Sequence, residues 1–322
     1  MNAKTSLKGK LQNTSNIISL IIVLIIICIA FTCLSPYFLS IKNFLNIGTA
    51  ASITGIMAAG SMVVMLLGHI DMSQYAILSL SSIVAALMLQ NNCSLPLTIL
   101  VTLLTGLACG AVNGLIVSCL KISGIICTMG TMNIFRGFAY LVTSGSSVMV
   151  KNTAFSYIGR GYIFNTIPFA VLLMAVVFLM EAYMLKYTSF GRKVYAVGGN
   201  EKASFLAGIN SNAVKFSSML ISGFTAAVAG LVCCSQVGSA VPSVGQGSEM
   251  SVLSAVILGG VSLSGGKGKV SGTVLGIFIL AVIQNGMTLL SIPSFYQYII
   301  NGTVLILAVL MDIIKSGALK RK

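Results

Sequence analysis

Charge is what this chain has least of. Only 7% of its 322 residues are Asp, Glu, Lys or Arg while 57% are hydrophobic, a balance that excludes an ordinary soluble domain. Acids are scarcest, five in all, and no two share an apolar run; with one histidine, His69, and no nucleophile beside a base, nothing is present to perform chemistry. The lone histidine also argues against a zinc or haem site. The eight cysteines (Cys28, Cys33, Cys93, Cys109, Cys119, Cys127, Cys233 and Cys234) contain no C-x-x-C pair and sit mostly in apolar runs, as small apolar fillers. No metal and no cofactor are expected on this chain.

Segments of roughly ten residues with alternating polar and apolar positions are also missing, which excludes a membrane-spanning barrel. Apolar runs near 20 residues recur instead, each about long enough to cross a hydrocarbon core roughly 30 Å thick. The expected fold class is all-α, a polytopic membrane helical bundle with spans at 17–35, 46–67, 72–90, 95–119, 122–143, 164–186, 213–233, 250–264, 270–290 and 296–314. The first run lacks a small-residue cleavage pattern before Ser35-Pro36, so it is expected to be an anchor, with both termini in the cytosol. In that topology most of the 19 basic residues fall in cytosolic segments, and only Lys42, Arg136, Lys151 and Arg160 lie elsewhere, as the positive-inside rule requires. The net charge of +14 is spread over loop ends without an aromatic-lined groove, which suits anionic lipid and not nucleic acid.

One polar island interrupts the apolar pattern, Gly191-Arg192-Lys193-Val194-Tyr195-Ala196-Val197-Gly198-Gly199-Asn200-Glu201-Lys202-Ala203 through Gly208-Ile209. Asn200 suits a helix N-cap, Glu201 the first turn, and Gly208 the position after the end, so a short helix is expected near 201–207. Gly191, Gly198 and Gly199 are expected to permit tight turns before it. Either this is a solvated linker helix or it docks a water-soluble partner.

The island resembles the cytosolic loop of permease subunits of ABC importers of the ribose, xylose and galactoside type, the binding-protein-dependent transport inner-membrane family, whose loop reads G-R-x-x-Y-A-x-G-G-N-x-x-A. The likeness continues through Val112-Asn113-Gly114-Leu115, Gly130-Thr131-Met132-Asn133-Ile134-Phe135-Arg136-Gly137 and Leu258-Gly259-Gly260-Val261-Ser262-Leu263-Ser264-Gly265-Gly266-Lys267-Gly268. It implies that loop 187–212 carries a coupling helix inserting into a separate ATPase, with Gly191, Arg192, Tyr195, Gly198, Gly199, Asn200, Glu201, Ala203 and Gly208 as its coupling residues. It further implies a bacterial cytoplasmic-membrane location, an extracytoplasmic solute-binding protein, a second permease chain, and ATP with Mg on the partner ATPase. On this view 17–314 is one transmembrane domain between a cytosolic tail, 1–16, and a basic tail, 315–322. The chain departs from the family where G-G-I-D-L-S-V-G becomes Gly68-His69-Ile70-Asp71-Met72-Ser73-Gln74-Tyr75, and where Ser251 replaces an acid, so a nucleoside or furanosyl signal stands beside a monosaccharide as solute.

Within the spans, Asp71, Asn113, Asn133, Arg136, Gln284 and Asn285 are the candidates for a solute pathway. Each has a second reading: Asp71 and Gln74 as a helix-capping pair, the amides as helix-to-helix hydrogen bonds, and Arg136 as an ion-pair partner of Glu249. Gly265-Gly266-Lys267-Gly268 lacks the first glycine and the final Ser/Thr of a phosphate loop, so a tight basic turn is expected. A faint echo relates Leu67-Gly68 through Ser73 to Leu258-Gly259 through Ser264. An ion-coupled carrier, the alternative class, would need acids inside its spans, and the candidates Asp71 and Glu181 both lie near cytosolic ends.

Overall fold

The computed structural model describes the backbone of residues 3–316 and the side chains of 17–293 and 295–310. The side chains of the expected tail 1–16, and the basic tail beyond 316, lie outside the described residues. In chain order the elements are α1 (Ala3–Leu34), α2 (Ile41–Leu66), α3 (Gln74–Gln90), α4 (Leu95–Cys119), α5 (Gly124–Thr143), β1 (Val148–Met149), α6 (Thr153–Arg160), β2 (Tyr162–Ile163), β3 (Ile167–Pro168) and α7 (Phe169–Tyr187). There follow α8 (Ser189–Gly199), α9 (Glu201–Leu206), α10 (Ser211–Val237), β4 (Ser239–Ala240), α11 (Glu249–Leu258), α12 (Val270–Leu289) and α13 (Ser294–Ser316).

Each apolar run expected to span overlaps one helix. Seven helices, α1, α2, α4, α5, α7, α10 and α12, are long and apolar enough to cross a membrane, while α3, α11 and the apolar part of α13 are shorter. Side-chain caps place several starts: Ser40 accepts from the Asn43 amide ahead of α2, and Asn210 accepts from the Ala213 amide ahead of α10. Two expected spans need correction. The run 250–264 is helical only to Leu258, because Gly260, at φ 87°, ends it with Gly260 N donating to Ile257 O and Val261 N to Val256 O. The run 164–186 becomes helical only at Phe169, after a hairpin in which Tyr162 pairs with Pro168. The bundle also carries a second two-stranded pairing, Val148 with Ala240.

Helix α2 ends by the same hydrogen-bond motif, Gly68 N to Met65 O and His69 N to Val64 O, with Gly68 at φ 75°. The structural echo therefore equates Gly68 with Gly260, one residue away from the alignment the sequence suggests.

The core sits on α2 and α10, the most deeply buried spans, whereas α1 buries none of its span. Helix α10 packs along α4 because Gly106, Gly110 and Gly114 form a groove on one face of α4: a Cβ at Gly110 would lie 3.1 Å from Leu220 Cα, and one at Gly114 2.8 Å from the Phe216 ring. Without hydrophobic driving force in lipid, such close backbone approach supplies the van der Waals contact that holds helices together. Helix α7, about 28 Å long at 1.5 Å per residue, separates the strands at one end of the bundle from α8 and α9 at the other. Two ends result, a strand end and an α8 end.

Candidate functional site

The polar island folds at the α8 end as two helices. Thr188 accepts from the Gly191 amide at 3.2 Å and starts α8; Asn200, extended at φ −161°, ends α8 and caps α9 by accepting from the Ala203 amide at 3.0 Å. Gly208 follows α9 in the left-handed region at φ 79°, which turns the chain so that the Ile209 amide donates to Ser204 O at 3.0 Å. Asn200, Glu201 and Gly208 thus occupy the expected positions.

The three earlier glycines do not form turns, contrary to expectation, because α8 is helical through all of them. Two are there for close approach. A Cβ at Gly191 would lie 2.5 Å from Leu185 Cα, and one at Gly198 would strike Leu66 O and come within 2.8 Å of Gly266 N, whereas Gly199 has open space. The turn 265–268 completes this junction: Gly265 and Gly266 are left-handed, Gly266 N donates to Leu66 O at 2.8 Å, and the Tyr195 hydroxyl donates to Gly268 O at 3.0 Å. Burial, and secondarily the Glu181 carboxyl, push the Tyr195 phenol above its ordinary pKa. Lys267 stays exposed at the tip of the turn, as expected of a basic turn.

On α9, Glu201 accepts from Lys215 Nζ of α10 at 2.6 Å. Glu201 is 52% exposed, so this pair contributes little stability and serves to orient the helix. Arg192, Lys193, Lys202 and Ala203 are exposed. Two residues that sequence reasoning missed, Phe205 at 72% and Leu206 at 85% exposure, project from the end of α9. Their signal was available: two adjacent apolar residues closing a polar helix too short to bury them.

Asp71 is 3% exposed and caps nothing, since α3 starts at Gln74 without a side-chain cap. Its Oδ1 accepts from Ser73 N at 2.9 Å and Ser73 Oγ at 2.6 Å, and its Oδ2 accepts from Ser222 Oγ at 2.6 Å. Asn113 Nδ2 donates to Ser73 Oγ at 2.8 Å, and Gln74 Nε2 donates to Ser222 Oγ at 2.8 Å and Met57 O at 2.9 Å. Two amide-to-hydroxyl relays therefore converge on one carboxylate, and each hydroxyl orients its single proton toward the charge. The network ties together α2, the 67–73 loop, α3, α4 and α10. Although the chain places Asp71 just after a span, the loop turns back along α2, and Met57 lies roughly 13 Å from that helix's end. Ser222 carried no sequence signal.

The other candidates are dispersed. Arg136 Nη2 lies 3.4 Å from Glu249 Oε1, the ion pair weighed from sequence, and Arg136 Nη1 donates to Pro242 O at 3.0 Å and Val244 O at 2.7 Å. Asn285 and Asn43 exchange amide hydrogen bonds of 2.9 and 3.0 Å, the helix-to-helix alternative. Asn133 is exposed and donates to Met129 O of its own helix, and Gln284 lines a small cleft with Thr54 and Ser251. Of the six, only Asp71 and Asn113 are brought together.

Comparison with known proteins bears on what this arrangement does. Residues 43–309 match the family model described as branched-chain amino acid transport system / permease component. The ribose import permease protein RbsC of Bacillus subtilis (strain 168) is 38% identical over 311 residues, covering 96% of this chain and 95% of the relative. That of Escherichia coli (strain K12) is 39% identical over 298 residues, covering 91% and 92%, and the xylose transport system permease protein XylH of the same strain is 33% identical, covering 85% and 86%. No solved structure matches.

Proposed function

The chain belongs to the branched-chain amino acid transport system / permease component family, and on that premise we propose that it is the transmembrane subunit of an ATP-driven importer of a monosaccharide, ribose-like in size and polarity. It is a multi-pass membrane protein and a transport component, not an enzyme. The observation that carries the sugar assignment is the match over 96% of the chain to a ribose permease; the family description alone would leave amino acids equally open.

In this reading all ten apolar segments cross the bacterial cytoplasmic membrane, both termini and the α8 end face the cytosol, and 17–314 forms one domain. The clustering of lysine and arginine supports that orientation. A partner ATPase, which holds ATP and Mg, receives α9. Phe205 and Leu206 supply apolar anchors there, while Asn200, Glu201, Ala203 and Gly208 shape and orient the helix. Gly191, Gly198 and Tyr195 seat α8 on Leu66 and the 265–268 turn, Gly199 leaves that contact uncrowded, and Arg192 offers charge to the partner. Movement of α9 then reaches the end of α2, and with it the Asp71 loop. A solute-binding protein delivers the sugar to the strand end, and a second copy of the chain completes the pathway.

Asp71, Asn113, Arg136 and Asn285 commit polar groups to protein partners and brace the helices. Asn133, which among the described residues bonds only within its own helix, and Gln284 face open space, and we assign the passing contacts with sugar hydroxyls to these two. Weak contacts suffice, since a tight site in the pathway would slow release.

The test is purification of the chain from its native membrane in mild detergent, with mass spectrometry of what accompanies it, and uptake of labelled ribose and leucine in cells with and without it. A co-purifying ATPase and chain-dependent ribose uptake are expected. A chain that emerges alone after gentle crosslinking, or that supports leucine and not ribose uptake, overturns the assignment.

A further inference from the structure

The strand end carries a segment none of whose residues is assigned a part in the proposed transport role. Between β1 and α7 the chain forms α6 and the β2–β3 hairpin. One face of α6 is fixed to α10, where Ser235 Oγ donates to Phe155 O at 2.7 Å and accepts from the Gly159 amide at 2.7 Å. The other face and the hairpin present Tyr157 and Tyr162, each 48% exposed, and Phe164, 89% exposed.

Phe164 is the sharper observation. It and Asn165 hold φ of 51° and 55°, the left-handed pair of a tight hairpin turn, where Asn and Gly are the usual occupants. A bulky side chain there costs on the order of 1–2 kcal/mol. At 89% exposure the ring recovers almost none of that from the protein itself. The ring itself is left to whatever surrounds the tip.

The surroundings follow from chain continuity. The hairpin runs straight into α7, a helix long and apolar enough to cross a membrane from Phe169 onward, so where α7 crosses, the hairpin falls at the level where hydrocarbon meets headgroups. Tyrosine and phenylalanine are favoured at that level. Between residues 144 and 168 the charged residues are Lys151 and Arg160 alone, both basic and both exposed, which complements lipid phosphate.

We propose that α6 and the β2–β3 hairpin lie on the membrane as an interfacial anchor, with the Phe164 ring inserted among the acyl chains just below the headgroups. The anchor fixes the depth and tilt of α7, the helix that leads directly to α8 at the opposite end. The tip is thereby committed to lipid and withheld from soluble partners.

The chain contains no tryptophan, so Phe164→Trp introduces a single indole reporter. The full-length variant is reconstituted into vesicles of phosphatidylethanolamine and phosphatidylglycerol, with and without bromine on the upper acyl chain. Bromolipid is expected to quench most of a blue-shifted emission while aqueous iodide quenches little. Emission like that of indole in water, quenched by iodide and insensitive to bromolipid, overturns the proposal, as does a tip shielded from iodide only after a soluble protein is added. Tyr162→Trp gives the same readout from the neighbouring strand should Phe164→Trp fail to accumulate.

Discussion

The amide of Gly266 donates to the carbonyl of Leu66 at 2.8 Å, and Gly198 lies so close to that carbonyl that a β-carbon has no room. Gly198→Ala gains about 1 kcal/mol of helix propensity but meets backbone atoms that cannot yield as a side chain would, an overpacking cost of about 1–3 kcal/mol. Sugar uptake in Gly198→Ala is expected to fall at least several-fold with the protein still in the membrane. Gly199→Ala, one residue on with open space, should keep both uptake and thermal stability. Equal behaviour of the two variants in an uptake assay would remove the junction from the coupling route.

Reversing charge at the start of α9 tests what Glu201 is for. Glu201→Lys is expected to abolish uptake while membrane abundance, read by immunoblot, stays normal. Because the pair with Lys215 is partly exposed and weak, adding Lys215→Glu should not rescue it under the proposed role, in which the carboxylate faces the ATPase. Recovery of uptake in the double variant would make the pair itself the functional element.

Phe205 and Leu206 bury little in this chain, so Phe205→Ser with Leu206→Ser should leave its melting temperature within about 2 °C, as surface substitutions do. The same double variant should lose the ATPase from the detergent-purified complex. Retention of a stoichiometric ATPase would show that α9 docks through its polar residues alone.

Around Asp71, Ser222→Ala removes one donor to a buried carboxylate and one of the two acceptors of the Gln74 amide, a loss of about 1–3 kcal/mol. Asp71→Asn turns an amide N–H toward hydroxyls already used as donors and should cost at least as much. Ser81→Ala is the control, because its buried hydroxyl has no partner. Thermal unfolding in detergent that lowers Ser81→Ala as far as Ser222→Ala would show that the carboxylate network adds nothing beyond packing.

His69 occupies the loop between α2 and α3, and burial, followed by the charge of Lys215, holds its pKa below the usual 6.5. The folded protein therefore binds fewer protons than the unfolded chain in the window just below that value. The stability contributed is complete above about pH 6.5 and is lost as pH falls toward the lowered pKa. His69→Gln should flatten the pH dependence of the melting temperature across this window. An unchanged slope would assign that dependence to another group.

Much of the architecture was readable from local sequence. Apolar runs long enough for a hydrocarbon core, the caps at Asn200 and Gly208, and the excess of lysine in alternate loops each depend on a few neighbouring residues. Even the Arg136–Glu249 pair was accessible, since a lone arginine in an apolar run must find one of very few acids. What local sequence could not reveal were contacts whose partners are far apart in the chain. Ser222 is 151 residues from Asp71 and is one small polar residue among many in helices of this kind. Gly198 looked like a turn residue because its demand for space arises only when Leu66 and Gly266 arrive beside it. Helix formation and the local caps around α9 were thus determined by the sequence alone, through backbone hydrogen bonding and capping. Which carboxylate is stabilised, which glycines are indispensable and which apolar residues remain uncovered were decided by the tertiary structure, because they depend on how closely helices cross, and crossing is set by packing over the whole bundle.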